Sequence, residues 1–102
     1  MTHPSKIKGN GYERELVNDA KEKGLLAERA FASNGKALGE VEEVDLIVEG
    51  CRIQAKRRKH LPKYLALNNG VDAVVFRQDN DKSYALVRWE DLTDKIKETN
   101  GW

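Results

Sequence analysis

Two short β-rich runs meeting at Glu49-Gly50 constrain this chain more than any other feature: Val44-Asp45-Leu46-Ile47-Val48 and Cys51-Arg52-Ile53-Gln54-Ala55-Lys56. Such a pattern reads as a β-hairpin with a tight turn. If Glu49-Gly50 forms a two-residue turn, Val48 faces Cys51 and the register runs back to Asp45 opposite Gln54. Directly opposed side chains have Cβ atoms about 5 Å apart. Lys56 stands two residues beyond Gln54 and so points to the same sheet face. An acid, an amide and an ammonium then converge beside an otherwise apolar strand pair, where unpaired burial of such groups is costly. The arrangement suits a divalent metal, a phosphate, or both. It is also compatible with a plain cross-strand salt bridge between Asp45 and Lys56, with Gln54 exposed.

The chain has 102 residues, enough for one compact domain and little more. We therefore expect a single domain over residues 1–102 with a flexible N-terminal arm over 1–8. A core of this size is modest, and dimerisation would both stabilise it and extend a binding surface. Cys51 is the sole cysteine, which excludes an internal disulfide and suits a reducing compartment. No apolar stretch approaches the roughly 20 residues needed to span a bilayer. The first residues lack the apolar centre of a signal peptide. The expectation is a cytoplasmic protein with no membrane partner.

The net charge of +1 conceals segregation. Glu40, Glu42, Glu43, Asp45 and Glu49 form an acidic block. From Gly50 to Val71 there is no acid, while Arg52, Lys56, Arg57, Arg58, Lys59, His60 and Lys63 accumulate. A basic stripe beside an acidic site fits a polyanion held by the stripe and a cation held by the acids.

Periodicity predicts the order α-β-β-β-α-β-β-α. A helix over Gly9–Lys23 carries the apolar stripe Tyr12, Leu16, Val17 and Ala20, and Gly24 stops it. Leu25–Ala32 reads as a strand, and residues 33–39 as a loop with two glycines. Glu43–Glu49 and Cys51–Arg57 are the hairpin. Lys59–Asn68 reads as a second helix with Pro62 in its first turn and Asn69-Gly70 at its end. Val71–Phe76 is almost wholly apolar, as in a strand buried on both faces. Ser83–Arg88 alternates as a strand, and Trp89, Leu92 and Ile96 mark a closing helix. A helix between strands suggests a crossover, so the expected sheet is mixed and flanked by helices.

Several further residues carry chemistry. Glu13 lies one turn before Leu16 and Val17, at the edge of their stripe, although Glu13-Arg14-Glu15 also reads as an ordinary solvated run. Glu43 shares strand parity with Asp45 and offers another carboxylate, or is part of a solvated loop edge. In the glycine-bearing loop, Ser33 and Lys36 together with backbone N–H groups suit a phosphate, though the loop is no Walker-type motif. Arg57, Arg58, Lys59 and Lys63 lead from a strand into an expected helix N-terminus, an end that itself favours anions. Few aromatics interleave with them, so stacking on a single strand is not indicated. Cys51 reads as a core residue. No zinc-ligand spacing and no serine or cysteine triad is present.

On these residues the chain resembles the PD-(D/E)xK nuclease superfamily, and within it the small archaeal-type and phage Holliday junction resolvases. Lys8-Gly9-Asn10-Gly11-Tyr12-Glu13-Arg14-Glu15-Leu16-Val17 is similar to the family's opening helix, with its acid at Glu13. Val44–Val48 resembles the strand with the metal-binding aspartate, at Asp45. Gln54-Ala55-Lys56 falls where the family has Glu-x-Lys, with Gln54 replacing the acid. Ser33 corresponds to a serine near the scissile phosphate. The resemblance covers Lys8 to about Trp89. It implies a restriction-endonuclease-like α/β core (αβββαβ) and a catalytic set of Glu13, Asp45, Gln54 and Lys56. Of these, Asp45, Gln54 and Glu13 would ligate Mg²⁺ or Mn²⁺. DNA contacts are implied at Ser33, Lys36, Arg57, Arg58, Lys59 and Lys63. It further implies a homodimer cutting branched or double-stranded DNA, with four-way junctions the foremost substrate. Flap, nick or duplex cleavage, and a non-catalytic DNA-binding domain on a decayed scaffold, are the alternatives.

Overall fold

The computed structural model describes residues 4–30 and 43–102, with side chains from Gly11 onward. Among them the fold is mixed α/β, with two helices and two small antiparallel sheets. Helix α1 spans Pro4–Glu22. It begins at Pro4 rather than Gly9, so residues 4–8, expected in the arm, are helical; proline is well suited to a first helical position. Residues 1–3 lie outside the described residues. The helix ends as expected at Gly24: the Gly24 N–H donates to Lys21 O at 2.9 Å and the Leu25 N–H to Ala20 O at 3.0 Å, a Schellman closure.

Strands β1 (Ala27–Arg29), β2 (Leu46–Val48) and β3 (Cys51–Ile53) form one antiparallel sheet in chain order. The β2–β3 register is the one expected, with Val48 opposite Cys51 and Leu46 opposite Ile53. Glu49 (φ 48°) and Gly50 (φ 84°) both take positive φ, as a type I′ turn requires. Leu46, Val48 and Cys51 are buried against Leu16, Val17 and Ala20 of α1, and Ile53 and Ala55 pack at the margin of this core. The alternate positions, Ile47 and Arg52, therefore face away from α1.

Helix α2 spans Trp89–Glu98 and contributes Ile96 to the same core. Its buried Thr93 is reached by Lys23, just past the end of α1, whose ammonium donates to Thr93 Oγ1 at 2.7 Å, Asp94 Oδ1 at 2.8 Å and Glu90 O at 3.0 Å. Beyond α2 the Trp102 N–H donates to Glu49 O at 3.0 Å, tying the end of the chain to the hairpin turn.

The region between β3 and α2 departs from expectation. In place of a helix over Lys59–Asn68 there is a single 3-10 turn at Lys63–Leu65. Pro62, with ψ 142°, precedes it in extended conformation, and Leu61 before the proline is disfavoured in the helical region. The residues left between Pro62 and Asn69-Gly70 are too few to sustain a helix on their own. Asn69-Gly70 is a turn, closed by the Val71 N–H on Asn68 O at 3.1 Å.

Strands β4 (Ala73–Phe76) and β5 (Tyr84–Val87) pair with each other as a separate antiparallel hairpin. The expected mixed sheet is thus absent among the described residues. Without a crossover helix, β4 does not join the first sheet in parallel. Nor is Val71–Phe76 buried on both faces: Val75 is 68% exposed, and Val71 and Phe76 are exposed as well.

Candidate functional site

The hairpin holds Asp45 firmly. Its N–H donates to Ile53 O at 2.8 Å, its backbone oxygen accepts from Ala30 N–H at 2.8 Å, and its side-chain Oδ2 accepts from Ala55 N–H at 2.7 Å. Asp45 and Gln54 follow the last paired residues, Leu46 and Ile53, and so stand together at the open end of the hairpin. The paired strand β3 ends at Ile53, so alternation no longer fixes the face of Lys56, which instead lines a cleft with Tyr12 and Glu15 of α1. Asp45 is half-buried, while Gln54 and Lys56 are exposed. The salt bridges among the described residues do not include an Asp45–Lys56 pair, so the plain cross-strand ion pair does not form.

Glu13 is not a solvated helix residue: it is 5% exposed, on the helix face that also carries Leu16, Val17 and Ala20. It has a polar interaction of its own there. Glu13 thus belongs to the helix face that covers the sheet, while Asp45 and Gln54 lie just beyond the paired residues of β2 and β3. Glu43 is exposed. Among the described residues no three of His, Cys, Asp and Glu cluster so as to hold a metal ion. The expected set has only two acids among its three ligands, because Gln54 supplies an amide oxygen. Ser33, Lys36, Glu40 and Glu42 lie outside the described residues.

The basic run is exposed throughout Lys56–Lys63, and no salt bridge among the described residues neutralises Lys56, Arg57, Arg58, Lys59 or Lys63. It does not lead into an α-helix, so the expected contribution of a helix N-terminus to anion binding is absent; the attraction rests on side-chain charge alone. The segment instead borders α1. Tyr12, Glu15, Lys56, Arg57, Arg58 and Leu61 line a cleft of about 290 Å³.

Sequence reasoning missed this cleft and the Ala55 N–H that orients the Asp45 carboxylate. Tyr12 and Glu15 are three residues apart and so share a helix face, which was the available signal. Leu61 gave none, because it fell within the expected helix. Cys51 is buried, as expected; burial pushes its thiol pKa up, partly offset by the neighbouring Arg52 guanidinium. No helix among the described residues is long and apolar enough to cross a membrane. Comparison of the chain with protein-family models, with curated proteins and with solved structures finds no match in any of the three.

Proposed function

We propose that this chain is a metal-dependent, structure-selective DNA endonuclease acting on four-way junctions as a homodimer, with α1–β1–β2–β3 as the αβββ portion of a restriction-endonuclease-like core. The observation that carries the reading is the hairpin end. A carboxylate fixed by backbone hydrogen bonds, Asp45, stands with Gln54 beside a cationic run from Lys56 to Lys63 that no salt bridge among the described residues neutralises.

The donor set fits a hard divalent ion in kind. Asp45 would offer its carboxylate, one oxygen of which also accepts the Ala55 N–H, and Gln54 Oε1 would add a neutral oxygen. Mg²⁺ commonly binds through one or two carboxylates and keeps several waters. Glu13 would serve from the helix side. When bound, the ion supplies a polarised phosphate oxygen and a water of lowered pKa. Lys56 orients the attacking water and offsets charge developing on the phosphate. Arg57, Arg58, Lys59 and Lys63, with Ser33 and Lys36, hold the DNA backbone. Such contacts give shape selectivity and steep salt dependence rather than base reading. The exposed basic run supports a DNA-facing protein, for which a cytoplasmic location is part of the proposal.

The test is a labelled immobile four-way junction incubated with Mg²⁺, Mn²⁺ or EDTA. Paired, metal-dependent nicks are expected, reduced at least ~100-fold by Asp45→Asn or Lys56→Ala while junction binding persists. Full activity in either variant overturns the assignment. A panel of flaps, nicks and duplexes alongside separates a junction enzyme from a related nuclease of different preference. Gln54 favours one second reading, a non-catalytic DNA-binding domain on a decayed scaffold. Tight junction binding that ignores EDTA, no nicks in any metal, and Mn²⁺ binding by calorimetry gained only in Gln54→Glu would establish it.

A further inference from the structure

The cleft beside Lys56 has a chemistry that backbone contacts do not explain. Its volume of about 290 Å³ sits at the small end of ligand pockets and suits one nucleotide. Lys56, Arg57 and Arg58 give it three cations against the single carboxylate of Glu15, and no salt bridge among the described residues engages those cations. Tyr12, half-buried at the edge of the core, and Leu61, 60% exposed and proud of any packing, supply an apolar wall. A site built only for duplex phosphates has no use for an exposed leucine, an aromatic and an acid among its arginines.

We propose that this cleft takes one unpaired nucleotide of the DNA strand held at Asp45 and Lys56. The guanidinium groups of Arg57 and Arg58 hold its phosphate, since they match phosphate oxygens in a fixed fork. Tyr12 and Leu61 lie against sugar and base. Glu15, an acceptor only, takes the base's exocyclic amino group. Cytosine presents such an amino group. Thymine presents only an N3–H between two carbonyl oxygens that repel a carboxylate, so thymine is disfavoured. A paired, stacked base has to leave the helix to lie against Tyr12 and Leu61, and that unpairing and unstacking disfavours continuous duplex. The cleft therefore distinguishes strands with a frayed or splayed nucleotide, as at a junction crossover or flap, from continuous duplex. It is a single-residue subsite and not a stacking track along a strand.

The inference rests on the DNA-nuclease reading for its polymer, but its test needs no cleavage. ¹⁵N-labelled protein in EDTA is titrated with 5′-phosphorylated tetranucleotides of dC and of dT. Shift changes are expected at the amides of Tyr12, Glu15 and Arg57–Leu61, with dC several-fold tighter than dT. Leu61→Ser, at an exposed position, is expected to weaken single-strand binding several-fold more than duplex binding. Shifts that map elsewhere, equal affinity for dC and dT, or a Leu61→Ser variant weakened equally on both DNAs overturn the subsite and leave the nuclease reading standing. That reading falls separately, on Asp45-independent nicking.

Discussion

The two hairpins of this molecule are made of the same kinds of residue and end up in opposite environments. In β2–β3, Leu46 and Val48 are completely buried and Cys51 nearly so. In β4–β5, Val75, Phe76, Tyr84 and Val87 are all exposed. Both carry tight hairpin pairing, and both are rich in β-branched side chains. The difference is what lies above them. The β2–β3 face meets the apolar stripe of α1, whose Leu16, Val17 and Ala20 match the alternation of the strands. Among the described residues the β4–β5 hairpin faces the flank of α2 across an open cavity of about 650 Å³, whose lining includes Asp72, Val87, Asp91, Leu92, Lys95 and Glu98. Its chief internal support is the cross-strand Phe76–Tyr84 pair, with ring centroids 6.2 Å apart. A two-stranded hairpin by itself is marginally stable in water. β-propensity makes a strand; burial needs a complementary face, and among the described residues only β2–β3 has it.

The sharpest way to break this comparison is to cut back one side chain in each. Leu46→Ala should cost ~2–5 kcal/mol, because it removes a fully buried side chain from a core that can collapse only partly. Val75→Ala should stay within ~0.5 kcal/mol, as at other exposed positions away from special features. Urea denaturation of the two variants measures both. Equal losses would mean that the second hairpin is covered in solution by something that buries Val75.

A smaller effect probes the turns. Gly50 (φ 84°) and Gly70 (φ 86°) share a left-handed backbone, and a Cβ added at either meets nothing within 4 Å. Alanine at each therefore incurs the same intrinsic strain, about 1–2 kcal/mol. At Gly50 the full amount should appear in global stability, because the type I′ turn opens only with the core. At Gly70 the turn adjoins exposed segments and can relax locally, so denaturation should register less. An equal or larger loss at Gly70 would tie the second hairpin to the cooperative unit.

The same contrast explains what was legible in the sequence. The Glu49-Gly50 turn, the Val48–Cys51 register, the α1 stripe and the grouping of Asp45 with Gln54 follow from local rules, period two, period 3.6 and turn chemistry, which the core reinforces. The helix expected over Lys59–Asn68 has Pro62 in its first turn, but the extended Pro62 and the restricted Leu61 before it leave only a 3-10 turn. Once that helix fails, the parallel placement of β4 fails with it, since nothing carries the chain across the sheet. Within the candidate site, the side-by-side placement of Asp45 and Gln54 follows from the hairpin register, whereas Lys56 lies past the end of β3 in a segment that borders α1. The burial of Glu13 was suggested only by its place at the edge of the stripe. The Tyr12–Leu61 cleft was hidden, because it joins a helix face to an irregular segment whose path no local rule determines.

The smallest expected effect concerns the buried thiol. Burial raises the Cys51 pKa and Arg52 lowers it by less, so the folded chain holds the thiol proton to higher pH than the unfolded chain does. As pH rises past about 8.5, the unfolded thiol ionises first and the native state then binds more protons than the unfolded one. The Cys51 contribution to stability should therefore be intact below that pH, decline as pH climbs toward the raised native value, and level off beyond it. Subtracting the pH–stability curve of Cys51→Ala from that of the unaltered protein isolates this slope from the titration of tyrosines and lysines. The thiol's chemistry compares the two hairpins directly. Iodoacetamide at pH 8 should label native Cys51 far more slowly than the same thiol in urea, because the reagent needs an accessible thiolate. A Val75→Cys thiol in the Cys51→Ala background should react at a rate near that of a free thiol. A native Cys51 as fast as the Val75→Cys thiol would place the β2–β3 turn outside the core and remove the rigid support on which the Asp45 site depends.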